Sequence, residues 1–170
     1  MRRLIFFLFF FLFGCNREKI RLEPTEEGAV SLSSSIDMGD PRGALQLVKG
    51  FHHIEQKAWR WTAGRFAVTL RTPEGASQKG ARLELRFTAP EPAVGKLGPV
   101  TLTALASARS LGSVTCKASG PFVLSADVPL DFLQSETATF DFVLDKFLPP
   151  GTLDGRELGI IASSVSLTSL

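Results

Sequence analysis

The chain has 170 residues, with nineteen Lys and Arg against seventeen Asp and Glu and a formal charge of +2 at neutral pH. That length suits one domain with a real core and is too short for two ordinary ones. No basic tract or stripe runs through it, so the clustered Lys and Arg that displace counterions from nucleic acid are missing, and nucleic acid is set aside as a partner.

At the N-terminus Arg2 and Arg3 precede an uninterrupted apolar run from Leu4 to Phe13. The run is too short to span a bilayer as a mature helix and has the dimensions of the hydrophobic region of a secretory signal. It ends in Leu12-Phe13-Gly14-Cys15, followed by the polar stretch Asn16-Arg17-Glu18-Lys19. This resembles a bacterial lipobox, in which the cysteine thiol takes a diacylglycerol and the peptide is cut just before it. Leu12 supplies the branched aliphatic and Gly14 the small residue, while Phe13 is bulkier than usual at its position. The resemblance implies a lipoprotein signal peptide over residues 1–14, fatty acylation at Cys15 and a membrane attachment through that lipid. Asn16 stands where an aspartate, by the same resemblance, retains lipoproteins at the inner membrane. The expected location is therefore the cell envelope, at the outer membrane where the host has two.

Processing would remove Arg2 and Arg3 and leave seventeen basic against seventeen acidic side chains, a near-neutral mature protein. With the sulfur of Cys15 acylated, Cys116 has no intrachain disulfide partner. It alternates with Val114 and reads as a small buried hydrophobe rather than a nucleophile. One remaining cysteine and the adjacent His52 and His53 give a structural zinc site almost no support, and no cofactor is expected.

Residues 15–28 are polar and charged, with Pro24 and Glu26-Glu27 before Gly28, and read as a short tether. Residues 29–170 have the pattern of short strands punctuated by Gly and Pro. Phe66, Val68 and Leu70 alternate with Ala67, Thr69 and Arg71; Leu83, Leu85 and Phe87 alternate with Arg82, Glu84 and Arg86. Such segments bury one face of a strand and wet the other. The pattern returns at Val100–Ala104, Phe122–Val128 and Phe140–Leu144, and a last strand is expected over 158–167 with Ile161, Ser163, Val165 and Leu167 on one side. Thr72-Pro73-Glu74-Gly75, Ala89-Pro90-Glu91-Pro92, Ser119-Gly120-Pro121 and Pro149-Pro150-Gly151 read as turns. Leu130–Gln134 is compatible with a single helical turn. The predicted fold is all-β: an antiparallel, jelly-roll-like β-sandwich of about eight or nine strands, with a closed barrel as the competing architecture.

The densest cluster of chemistry-bearing residues is Gly50 to Thr62, which holds both tryptophans and both histidines. Trp59 and Trp61 are two apart and share a face on a strand, either core or surface. Core placement of at least one is the favoured expectation, and paired exposed aromatics are the sugar-platform alternative. Arg60 then points to solvent or pairs with Glu55. His52 and His53 point to opposite faces. No Gly-x-Ser-x-Gly stretch, spaced acid pair or metal cluster stands out, so no catalytic residue is assigned.

Ile36-Asp37-Met38-Gly39, Gly50-Phe51-His52-His53-Ile54-Glu55, Trp59-Arg60-Trp61-Thr62 and Asp154-Gly155-Arg156-Glu157-Leu158-Gly159-Ile160 occur in that order. Together they resemble a bacterial carbohydrate-binding-like β-sandwich module attached to glycosyltransferases and surface-polysaccharide proteins, although here the sandwich is expected to stand alone. From the residues themselves, Glu55 and Arg156 are expected to form a partly buried ion pair that fixes sheet register. The functional alternative sets Glu55, Arg60 and Arg156 as polar contacts around a glycan, with Trp59 or Trp61 stacking on a sugar face. The expected function is a non-enzymatic envelope lipoprotein that binds glycan. Its rivals are an assembly lipoprotein contacting another envelope protein through a strand edge, and a hydrolase on a sandwich scaffold.

Overall fold

The computed structural model describes residues 32–170. The expectations for the signal peptide, for Cys15 and for the tether therefore lie outside the described residues. Nine strands are present among those described: β1 (Ser35–Asp37), β2 (Leu47–Glu55), β3 (Trp59–Arg71), β4 (Ala81–Ala89), β5 (Val100–Ala106), β6 (Arg109–Cys116), β7 (Gly120–Val128), β8 (Thr137–Leu144) and β9 (Ile161–Ser169). Two short helices, α1 (Ala76–Lys79) and α2 (Glu91–Leu97), sit in the connections on either side of β4.

The antiparallel pairs are nested: β1 with β9, β3 with β8, β4 with β7 and β5 with β6. That nesting is the jelly-roll arrangement the sequence predicts. β4 also pairs with β9 and β5 with β8, giving one layer of β1, β9, β4 and β7 and a second of β3, β8, β5 and β6. β2 folds back on β3 as a hairpin. The layers are joined along β3, whose first residues pair with β9 while Arg65–Arg71 pair with β8.

The inward residues of both layers meet in one core. Phe66 lies opposite Phe142 in register, their rings stacked with centroids 5.0 Å apart, and Phe51 meets Phe66 edge-on at 5.2 Å. Val68, Leu70, Leu83, Leu85, Leu102, Leu124 and Phe140 fill the space around them, all buried. Cross-strand aromatic pairs of this kind add to the gain from removing apolar area from water. Cys116 faces the same core opposite Val100, and burial pushes its thiol pKa up to about 11.

Two local expectations are corrected. In β9 the inward residues are Ala162, Val165 and Leu167, not Ile161 and Ser163. Ser163 is an extra residue where the β4–β9 register slips between Arg86 and Phe87, and one inserted residue reverses the facing of everything before it. The stretch 89–92, read as a turn, instead starts α2, with Pro90 as its cap and a proline in its first turn, where no N–H is needed. The single turn near Leu130 is present as a 3-10 helix over Leu130–Phe132.

Phe142→Ala should therefore lower the unfolding free energy by about 3–5 kcal/mol, read from denaturant melts. Cys116 should react with a thiol reagent at pH 8 only when the protein unfolds. Its folded pKa lies above its unfolded value, so the folded state holds the extra proton between them. Stability should decline as pH rises from about 9 towards about 11, and Cys116→Ala should flatten that decline.

Candidate functional site

The β2–β3 hairpin turns at Glu55–Ala58, where the Ala58 N–H donates to the Glu55 carbonyl at 3.1 Å. Gln56 and Lys57 are both left-handed, at φ 50° and 57°, in the three-residue loop between the paired Glu55 and Trp59. Neither is the Gly or Asn that adopts this conformation cheaply, so the turn is held by the strands it joins. Glu55 lies opposite Trp59 in register. Further along, Arg60 faces Ala162, a core residue, and Trp61 faces Ile161, which in turn lies opposite Thr88. Residues 60 and 62 thus belong to the inner side of β3, and Trp59 and Trp61 to the outer side.

Neither tryptophan enters the central core, contrary to the expectation for at least one of them. Thr62 takes the inner position instead, fully buried, with its Oγ1 accepting from the Ile160 N–H at 3.2 Å. Both indoles are half-buried on the outer face, edge to face, with centroids 6.3 Å apart and an interplanar angle of 79°. Trp61 rests on a small separate cluster of Ala93 from α2, Leu148 and Leu158, joined by Leu97. The two rings form a corner rather than one flat platform, with Trp59 the outer and less supported of the pair.

Leu148 and Leu158 belong to the long connection between β8 and β9 and exchange two backbone hydrogen bonds of 2.9 Å. Between them the chain turns through Pro149–Gly151 and returns with Arg156. The Nη1 of Arg156 donates to Glu55 Oε1 at 2.8 Å, while its Nε and Nη2 donate to Asp154 Oδ2 at 3.1 and 2.7 Å. The Arg156 backbone N–H also donates to Asp154 Oδ1 at 2.8 Å. Bonding to Asp154 first, and to Glu55 second, raises the pKa of Arg156 above its already high value. The Arg156 side chain and then its backbone N–H hold Asp154 below the usual carboxylate range.

The Glu55–Arg156 ion pair is thus formed as expected, with each side chain about 34% exposed. Arg156 lies in a loop, however, so the pair fixes that loop against the hairpin and not the register of two strands. At this exposure such a pair contributes about 1 kcal/mol or less once solvent screening is counted.

Further bonds hold the same loop. His52 Nε2 lies 2.7 Å from the Glu157 carbonyl, and Glu157 Oε1 accepts from the Gly64 N–H at 2.7 Å. His53 is exposed, so the two histidines diverge. Gly159 donates to the Thr62 carbonyl at 2.7 Å, and a Cβ there would lie 2.8 Å from the Ala63 carbonyl. Gly39 meets the hairpin equally closely, since its Cβ would lie 2.5 Å from the Lys57 carbonyl. The four sequence motifs therefore meet at one end of the sandwich, and three of their glycines, Gly39, Gly50 and Gly159, stand where the backbone of β3 or its turn leaves no room for a Cβ.

Arg60 departs from its expected surroundings. It neither points freely to solvent nor pairs with Glu55: its Nε donates to the Met38 carbonyl at 3.1 Å and its Nη1 to the His52 carbonyl at 3.0 Å. Burial pulls its pKa down. The structure thus brings Glu55, Trp59, Trp61 and Arg156 to one rim and turns Arg60 inward beneath them. Glu157, Asp154 and His52 complete the rim; all three lie within the sequence motifs, Asp154 and Glu157 beside Arg156 and His52 before Glu55. A groove of about 790 Å³ lies elsewhere, between β1 and the 3-10 turn Pro41–Gln46, and none of the five expected ligand contacts lines it. Among the described residues no three His, Cys, Asp or Glu side chains are grouped to hold a metal ion.

No family model matches the sequence, and no curated protein matches it. Solved structures that resemble it include a family GH115 4-O-methyl-alpha-glucuronidase with specificity for decorated arabinogalactans, at 8% identity and a TM-score of 0.49. That match covers 82% of this chain but only 18% of the glucuronidase. A second is a family 4 carbohydrate-binding module, at 12% identity and a TM-score of 0.39, covering 73% of this chain and 77% of the module. Both likenesses concern the course of the chain, and the specificity named for the glucuronidase is that protein's own.

The unequal support of the two indoles sets an expected difference. Trp61→Ala should cost about 2–3 kcal/mol, below the full cost of truncating a wholly buried tryptophan. Trp59→Ala should cost about 1 kcal/mol, mainly the aromatic pair itself. Urea melts of the two variants measure both.

Proposed function

We propose that this chain is a lipid-anchored envelope protein whose β-sandwich binds glycan at the rim formed by Trp59, Trp61, Glu55 and Arg156. The observation that carries the reading is the half-exposed Trp59–Trp61 pair directly beside the Arg156–Glu55 pair. Indole faces cover the C–H faces of sugars, and neighbouring charged groups orient hydroxyls; few other surface groupings serve both needs. The rim is open rather than a pocket, which suits an extended polymer lying across it more than a small molecule enclosed on all sides. Arg60, with two donors engaged on backbone carbonyls, supports the rim from below and is left out of the contact set.

Anchoring rests on the sequence: Arg2-Arg3, the apolar run and Leu12-Phe13-Gly14-Cys15 support lipidation at Cys15, and Asn16 supports the outer membrane of a two-membrane host. Cys116, the one described cysteine, is buried with its thiol pushed up to about 11, and is no nucleophile at neutral pH.

Metabolic labelling with a fatty acid should mark the wild-type chain and not Cys15→Ser; equal label in both would remove the anchor. On a glycan array, Trp59→Ala should lose signal by tenfold or more while its circular dichroism stays that of the parent. An unchanged array signal in that variant would place binding, if any, somewhere other than this rim.

A further inference from the structure

We infer that the rim selects uncharged glycans and rejects acidic ones. This deepens the glycan reading above and rests on it. An arginine on an open surface ordinarily offers a planar fork that receives a carboxylate with two parallel bonds. Arg156 has the Nε–Nη2 side of that fork already taken. Its Nε and Nη2 are both turned onto Asp154, and its Nη1 reaches Glu55. One cation is thus flanked by two carboxylates, and the cluster itself carries net negative charge. A uronate or sulfate arriving there meets a guanidinium whose charge is already balanced by two carboxylates, and is repelled by both of them.

What the rim leaves free has a different chemistry. Among the described residues, Glu55 Oε2 and the indole N–H groups of Trp59 and Trp61 have no protein hydrogen-bond partner. Glu55 lies opposite Trp59 across the hairpin, so the two side chains leave the same side of the ribbon. A carboxylate oxygen accepts from a sugar hydroxyl, an indole N–H donates to one, and the ring face takes the axial C–H bonds of a pyranose. All three features match a neutral sugar unit. The two carboxylates on Arg156 outnumber it by one charge and disfavour an acidic unit at that point, although Lys57 in the turn and Arg60 beneath are cationic.

The test is binding of the full chain, purified in a non-ionic detergent at physiological salt, to immobilised polysaccharides. The neutral set is galactomannan, xyloglucan and mixed-linkage β-glucan; the acidic set is polygalacturonate and alginate. Wild-type protein should bind one or more of the neutral set at least tenfold more tightly than either acidic polymer. The double variant Glu55→Gln, Asp154→Asn removes both negative charges from the guanidinium and should gain tenfold or more on the acidic set, while weakening on the neutral one. Wild-type binding to an acidic polymer as tight as to any neutral one overturns the selectivity and leaves the glycan reading standing. Absence of binding to both sets by folded wild-type protein removes the glycan reading, and the selectivity with it.

Discussion

Strand β3 is the constraint on which the rest of the architecture depends, because it belongs to two layers at once. Its first residues must pair with β9 and its last seven with β8, so the thirteen-residue strand has to bend from one sheet into the other. The nested pairs then have only one way to close around the phenylalanine stack, since Phe66 on β3 already fixes Phe142 on β8. The same strand carries the tryptophans at its opening turn, where pairing changes partners and the outer face is least crowded. A break in β3 would therefore disturb the core and the rim together.

Strand facing was legible wherever side chains alternate without interruption. Leu83, Leu85 and Phe87, or Phe140, Phe142 and Leu144, declare an inner face because a pleated strand allows no other arrangement of their apolar area. The alternation does not say who pairs with whom, and it fails where the backbone slips. Ser163 shows the limit: a single unpaired residue moved Ile161 from the expected inner face to the outer one. Helix α2 was hidden for a related reason, since its prolines mark a helix start as readily as a turn.

At the rim, the residues were legible and their roles were not. Glu55, Trp59, Trp61 and Arg156 stand out as residue types, and the structure does gather them. Arg60 stood out equally, yet its fate is set by two backbone carbonyls, Met38 and His52, that no side-chain pattern announces. Asp154 took the larger share of Arg156 because it lies two residues away and is in place whichever way the loop folds. Short-range geometry decided both outcomes, and composition carries no trace of it.

The two ends of β3 give the molecule a direction. Ser33, near the point where the described chain enters the sandwich, accepts a hydrogen bond from the Arg71 N–H at the last residue of the strand, whereas Trp59 opens it. At about 3.3 Å per residue, these points stand at most about 40 Å apart. The entry of the described chain and the indoles therefore lie towards opposite ends of β3.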